Sequence, residues 1–302
     1  MSIKNLKITT LADNLVLKAG LHGQWGLSFL LDIEDRNGMP RKIIFDTAND
    51  KAPFLHNIKK LKTDLSEVEA VVISHGHGDH TVATVEIVKA AGGCPVYAHP
   101  HTFLPRFYIS KEGKRREGGV PEGQGIAEIE AAGGEVILSE DPVEVVPGLW
   151  TTGQIPRVTD FEIISPPTDG GRRVILIEGE EHDDQIRCDQ ALWTDVEGVG
   201  PWVITGCAHS GPINTIIHVS RLGGFDSIKG LIGGTHLVGR DNDYIEKTIE
   251  SLRAYDINFL SPCHCTGFKA MAMLWLSFTN SFVLNYCGRE FKVGEEVRDP
   301  VI

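Results

Sequence analysis

Six consecutive residues, 75-HGHGDH-80, hold three histidines and an aspartate. Imidazole nitrogens and carboxylate oxygens are ligands for zinc, iron or manganese, and such groups are not buried in a core without partners. His75 and His77 stand two apart, so an extended backbone points both to one side. Gly76 and Gly78 remove side-chain bulk and permit tight turns. Asp79 and His80 can then turn toward a second ion beside the first. Two neighbouring divalent ions would lower the pKa of a shared water from ~15.7 towards ~7, giving a hydroxide able to attack an ester, amide or phosphoester at neutral pH.

The cluster needs a rigid base, and the apolar strand 70-AVVIS-74 supplies it, followed by a helix through Val82, Val85, Ile87 and Val88. Strands and helices alternate along the whole chain. Residues 27-LSFLLDI-33 and 42-KIIFD-46 read as a hairpin turning at Asn37-Gly38. Further strands are expected at 95-PVYAH-99, 135-EVILS-139, 173-RVILIE-178, 201-PWVITG-206, 228-IKGLIGG-234 and 257-INFLSP-262. Helices are expected at 212-PINTIIHVSRLG-223, 243-DYIEKTIESLRAYD-256 and 268-FKAMAMLWLSF-278. With no repeat and no Pro- or Ser-rich linker, the reading is a single layered α/β domain over 1–302, with a lid or insertion at the polar passage 108–132.

Composition narrows the partners. A chain of 302 residues, 41% hydrophobic and 23% charged, is that of a soluble globular protein. The net charge of −12 argues against nucleic acid, and the one basic run, 111-KEGKRR-116, reads as a solvated hairpin. The start, 1-MSIKNLKITTLADN-14, lacks an apolar signal-peptide core. The longest apolar run, 270–286, is broken by Ser277, Thr279, Asn280 and Ser281, and suits a buried helix better than a membrane span. Six cysteines without a disulfide framework suggest reduced thiols and a cytoplasmic location. The sequence leaves self-association open.

The motif 75-HGHGDH-80 resembles the HxHxDH signature of the metallo-β-lactamase superfamily, and it lies where that superfamily has it, after a strand and opening a helix. Asp46, ending 42-KIIFD-46, matches the superfamily's earlier aspartate, a partner of the metal histidines. The pieces 13-DN-14, 26-GLSFLL-31, 153-GQIPR-157, 189-DQAL-192, 205-TGCAHSGPINTI-216, 233-GGTHL-237 and 262-PCHCTG-267 are similar to one subgroup, that of dihydropterin ribofuranosyl-aminobenzene phosphate synthase. The resemblance covers nearly the whole chain. It implies a four-layer αββα sandwich of two mixed β-sheets, with one or two divalent ions at one sheet edge. Zinc is the first choice, with manganese and iron as alternatives. His209 and His264 follow the strands 201-PWVITG-206 and 257-INFLSP-262, where that fold gathers its site. His75, His77 and His209 are assigned to one ion; Asp79, His80 and His264 to the other.

Two departures accompany the resemblance. Cys207 stands where an aspartate is common, and Gln154 where members of the subgroup carry Glu; Asp189 is a further carboxylate. Cys263 and Cys265 flank His264, and an extended strand would point both away from the site as structural residues. His236 is a candidate proton donor or substrate contact, and Asp79 or His236 would handle the proton. Arg106 and Arg157, with His99 and His101, are candidates for an anion pocket. The resulting expectation is a metal-dependent hydrolase for a small anionic substrate, phosphorylated and pterin- or ribose-phosphate-like. Its alternatives are an iron-dependent oxidoreductase on the same fold and a non-catalytic metal-binding protein with a degenerate second site.

Overall fold

A computed structural model describes residues 2–164, 167 and 169–295. The chain opens with antiparallel strands β1 (Asn5–Ala12), β2 (Ser28–Glu34) and β3 (Pro40–Phe45), followed by helix α1 (Lys51–Leu61) and β4 (Ala70–Val72). Then come α2 (Thr84–Ala90), β5 (Pro95–Ala98), β6 (Arg106–Ile109), β7 (Arg115–Glu117), α3 (Ile126–Ala131) and β8 (Glu135–Leu138). The middle of the chain gives β9 (Glu144–Val146), β10 (Leu149–Thr151), β11 (Arg172–Ile177), β12 (Glu180–Asp183), β13 (Ala191–Val196) and β14 (Gly200–Thr205). It ends with α4 (Pro212–Gly223), β15 (Gly230–Gly234), α5 (Asn242–Arg253), β16 (Phe259–Cys263), α6 (Phe268–Ser277) and β17 (Glu290–Lys292).

Two mixed sheets face each other. The first has seven strands in the order β17-β1-β2-β3-β4-β5-β8, and the second six in the order β16-β15-β14-β13-β10-β9. Their strands are apolar on both faces because both faces are covered, so the polar alternation of a half-exposed strand is missing. Phe29, Leu31, Ile43 and Phe45 of the first sheet point inward against Leu192, Trp202, Ile204 and Ile232 of the second. The alternate residues Leu30, Ile44 and Val71 point outward onto Phe54 and Ile58 of α1, Val85 and Val88 of α2, and Ile129 of α3. On the far side, Val203, Leu231 and Leu260 meet Ile213 and Ile216 of α4, Ile249 of α5 and Leu274 of α6. This is the αββα sandwich that the resemblance implies.

A third, four-stranded antiparallel sheet, β12-β11-β6-β7, was not expected. It takes in 173-RVILIE-178, read above only as a strand, and part of the passage 108–132. That passage holds the end of β6, all of β7 and helix α3.

The parallel strands decide where the chemistry sits. Strands β3 and β4 run parallel in the first sheet, as do β14, β15 and β16 in the second. Their carboxyl ends deliver Asp46, the 75–80 cluster, Cys207 to His209, His236 and His264 to one edge of the sandwich. Several of these turns hold non-glycine residues at positive φ: Asp46 at 62°, Ala208 at 52°, His236 at 49° and His264 at 52°. Side chains other than glycine reach that region at a cost, and such residues gather where a site dictates the backbone. Among the described residues no helix is long and apolar enough to cross a membrane.

Candidate metal centre

Asp46 organises the first cluster. Its Oδ2 lies 2.6 Å from His80 Nδ1 and accepts from Ser74 Oγ at 2.7 Å, while its Oδ1 accepts from the Ser74 amide at 2.7 Å. Ser74 Oγ in turn sits 2.9 Å from His75 Nδ1. With its hydroxyl proton given to Asp46, Ser74 accepts from His75 Nδ1–H, so His75 presents the lone pair of Nε2. Asp46 likewise engages His80 Nδ1, so that Nε2 is the nitrogen turned to the site, where a bound cation would take the place of its proton. The end of β14 comes so close that a Cβ on Gly206 would stand 2.0 Å from Ser74 Oγ. Gly76 is under the same constraint, since a Cβ there would lie 2.0 Å from the Thr102 carbonyl oxygen.

The ring nitrogens then converge. His75 Nε2 is 3.0 Å from His77 Nδ1 and 3.2 Å from His209 Nε2, and these three could hold one ion. Asp79, His80 and His264 form a second such group. Asp79 Oδ2 is 3.8 Å from His80 Nε2 and 3.5 Å from His264 Nε2. His264 is held by the pair Asp13–Asn14. Asp13 Oδ1 accepts from the His264 amide at 2.9 Å, and Asn14 Oδ1 lies 3.1 Å from His264 Nδ1. Asn14 Nδ2 donates to the His264 carbonyl at 3.0 Å. The sequence motif drew attention to 13-DN-14 without giving it this task.

Sulfur lies between the two groups. Cys207 Sγ is 3.2 Å from His80 Nε2, and Cys207 also groups with His75 and His80, with His209 and His236, and with His264 and Cys265. Cys265 therefore does not point away, as an extended strand would require. Residues 264–266 form a 3-10 turn with His264 at positive φ, and this swings Cys265 toward Cys207 and the His236 amide, which donates to its Sγ at 3.3 Å. Cys263, buried on the strand before it, belongs to the core between the sheets.

Charge and burial bear on what these groups can hold. Burial, aided by the neighbouring imidazoles, pushes His75 and His209 well below the ordinary histidine value; burial also takes His77 to about 4. Burial opposes protonation of His80 as well, yet Asp46 and Asp79 raise it to about 9. Burial works to raise Asp79, but His80, His264 and His77 hold it well below the carboxylate range. His264 Nε2 is buried with no hydrogen-bond partner. Three neutral nitrogens facing one another, an orphaned nitrogen and an ionised carboxylate form a donor set that fits cations.

The structure uses other sequence-selected residues differently. Arg106 is buried and its guanidinium is committed: Nε to Asp184 at 2.9 Å, Nη1 to the Thr102 carbonyl at 2.9 Å, and Nη2 to the His101 carbonyl at 2.7 Å. It braces the loop below Gly76, and the sequence had offered it as an anion contact. Arg157 donates to the Gln185 carbonyl at 2.8 Å and does not line the cleft beside the histidines. Gln154 Oε1 stands 3.4 Å from His99 Nε2, outside both ligand groups. Asp189 lies under the His209 turn, where Oδ2 accepts from the Ser210 amide at 2.7 Å and Oδ1 has no partner. His236 does face the site, its ring centroid 4.1 Å from that of His209.

The cleft beside these histidines has a volume of about 730 Å³. His77, His209 and His236 line it at one side. The third sheet forms a wall with Tyr108, Arg116 and Arg173, the turn before α5 contributes Arg240, and α5 itself contributes Tyr244. Tyr108, Arg116, Arg173, Arg240 and Tyr244 were not among the sequence candidates, because they come from segments far apart in the chain.

A family signature described as a beta-lactamase superfamily domain matches residues 41–105, which contain Asp46 and the 75–80 cluster. The chain is also 31% identical over 297 residues, 96% of its own length and 97% of the relative's, to 7,8-dihydropterin-6-methyl-4-(beta-D-ribofuranosyl)-aminobenzene-5'-phosphate synthase of Methanocaldococcus jannaschii. The chain belongs to the metallo-β-lactamase superfamily. An uncharacterised protein of the same organism is 29% identical, covering 93% of this chain and 98% of that one. Among solved structures, a metal-dependent hydrolase of the beta-lactamase superfamily superposes with a TM-score of 0.75 at 24% identity, covering 97% of this chain and all of that one. Zn(2+)-bound PqqB from Methylobacterium extorquens does so at 0.55 with 12% identity, covering 94% and 99%. These two likenesses establish the fold of this superfamily member.

Proposed function

We propose that the protein is a metal-dependent enzyme that hydrolyses a small anionic, phosphorylated substrate of pterin- or ribose-phosphate type. The observation that carries this reading is the convergence of two adjacent ligand groups, His75–His77–His209 and Asp79–His80–His264, with His77 and His209 of the first lining one cleft. The zinc-bound and metal-dependent neighbours, and the phosphate in the name of the M. jannaschii relative, support it.

In this reading His75, His77 and His209 hold one divalent ion, and Asp79, His80 and His264 a second. Zinc suits the imidazole, carboxylate and thiol groups gathered here, and Cys207 stands between them. Bound there, the ions would polarise the electrophile and lower the pKa of water. The chain's own residues do the rest. Asp46 and Ser74 fix which nitrogens His75 and His80 present. Asp79 stays ionised and can take a proton as bonds rearrange. His236 faces the cleft and, with its buried Nδ1 unpartnered, can deliver one to a leaving group.

A second reading has one specific observation behind it. The relative at 31% identity is a synthase, so the acceptor in the natural reaction can be an organic nucleophile in place of water. One experiment separates these readings from a non-enzyme. Metal content of the purified protein is measured by elemental mass spectrometry, and phosphate or pyrophosphate release is followed across a phosphoester panel with and without amine acceptors. Close to two ions per chain and release lost in His77→Ala support the enzyme. Release that requires an acceptor selects the synthase reading. No metal uptake and no release that depends on His77 would sink both.

A further inference from the structure

The cleft wall opposite the histidines has an ordered pattern. Cross-strand register places Arg173 of β11 opposite Tyr108 of β6, and Tyr108 opposite Arg116 of β7. Directly paired residues point to the same face of a sheet. Arg173, Tyr108 and Arg116 therefore form one transverse row across the third sheet, and all three line the cleft. From the other wall, Arg240 lies with its guanidinium carbon 4.3 Å from the centroid of the Tyr244 ring. The Arg116 guanidinium sits 5.5 Å from the Tyr108 ring centroid.

Three acids share the cleft with these arginines. Asp184 accepts from Arg106, Asp169 from Tyr108 and the Gly171 amide, and Asp241 from the Tyr244 amide as the cap of α5. In a chain carrying 41 acidic and 29 basic residues, the cleft lining sets four arginines (Arg106, Arg116, Arg173 and Arg240) against three aspartates (Asp169, Asp184 and Asp241), a slight formal excess of positive charge. A concave, partly desolvated wall of one sign focuses the field on an oppositely charged ligand. Arginine is the side chain whose planar fork matches phosphate oxygens in pairs.

We propose that the Arg173–Tyr108–Arg116 row, faced by Arg240, is an anion subsite that reads the phosphoryl or diphosphoryl group of a small-molecule substrate and so sets its orientation toward the histidines. This rests on the reading that the cleft is where the substrate lies. It assigns recognition to three residues of the third sheet beyond Arg106, which lines the same cleft with its guanidinium held by Asp184, and it leaves out Arg157, which does not line the cleft.

The test separates this subsite from the metal centre. Inorganic phosphate and pyrophosphate are titrated calorimetrically into the full chain, both metal-loaded and chelator-treated, and into Arg173→Gln, Arg116→Gln and Arg173→Lys. Losing one charge-assisted pair should weaken binding about tenfold or more in each glutamine variant. Arg173→Lys should fall between those and the native chain, and the chelated native protein should still bind. Thermal melts that match the native protein show that each variant is folded; Arg116 is solvent-exposed, so its variant stands if Arg173→Gln misfolds. Phosphate that binds both glutamine variants as it binds the native chain overturns the proposal. So does absence of binding to the native chain, or binding that vanishes on chelation. Arginine-dependent binding in a chain that takes up no metal keeps the subsite and removes the metal-enzyme reading.

Discussion

Asp46 is expected to touch no substrate, yet it decides which nitrogens two histidines present. Its Oδ2 serves His80 Nδ1 and Ser74 Oγ together, and an amide at this place would offer hydrogens on one side where both neighbours require an acceptor. Asp46→Asn should therefore lose about 10–100-fold in metal affinity while keeping the fold, read by competition with a chromophoric chelator. Affinity equal to the native value would remove Asp46 from the site. At this scale the sequence was legible where the chemistry is local: 75-HGHGDH-80 carries its ligand types within six residues. It was opaque where a role depends on distant partners. Asp13 reaches the His264 amide across 251 positions, and Arg106 is occupied by Asp184, 78 positions on. Residue type alone offered Arg106 as an anion contact; that it lines the cleft while its guanidinium is held by Asp184 comes only from the fold. Cys265 departs from the strand expectation because the positive φ at His264 replaces the extended backbone with a turn.

The elements carry the site by their ends, and two features of those ends can be tested. Gly206 closes β14 against Ser74, where a methyl group would overlap Oγ at 2.0 Å. Gly206→Ala should cost about 1–3 kcal/mol, the usual range for overpacking, and lower metal uptake because Ser74 must move. Differential scanning calorimetry together with metal content reads both, and an unchanged melt would mean that the strand end is free to relax. Helix α4 follows His209 and begins under Glu162, whose carboxylate accepts from the Ile213 amide at 2.9 Å and the Asn214 amide at 2.7 Å. Burial raises Glu162 from 4.5 to about 7 against the pull of those hydrogen bonds. The folded state then binds this proton more tightly than the unfolded chain does. Its contribution is complete below about pH 4.5 and is lost as pH rises through 7. The Tm of the native protein relative to Glu162→Gln should therefore fall between pH 4.5 and 7.5, and a constant difference would refute the assignment. Most strands were legible as apolar runs. Strand β12, 180-EEHD-183, was not: all four residues are exposed and polar, and only pairing with β11 makes them a strand.

For the whole molecule, the αββα frame followed from the motif resemblance and the alternation of elements, whereas the third sheet needed pairing between segments more than sixty residues apart. That sheet gives a chain of net charge −12 a cleft wall rich in arginine, a property that composition averages away. The candidate ligands also divide between the two halves of the sandwich. His75, His77, Asp79 and His80 follow β4 of the first sheet; Cys207, His209 and His264 follow β14 and β16 of the second. An ion held by both sets would tie the sheets together in a way the unfolded chain cannot reproduce. Ligands that bind only the folded state stabilise it by mass action, on the order of 4 kcal/mol when free ion is about 1,000 times Kd. Chelation should therefore lower the Tm by several degrees, and added zinc should restore it. His77→Ala should blunt the shift, and loss of both His77 and His264 should abolish it. A melt indifferent to chelator in a protein shown to contain metal would mean that the unfolded chain binds the ion equally well, as the local cluster 75-HGHGDH-80 could, leaving the sheets to be held by the core between Phe29, Phe45, Trp202 and Ile204.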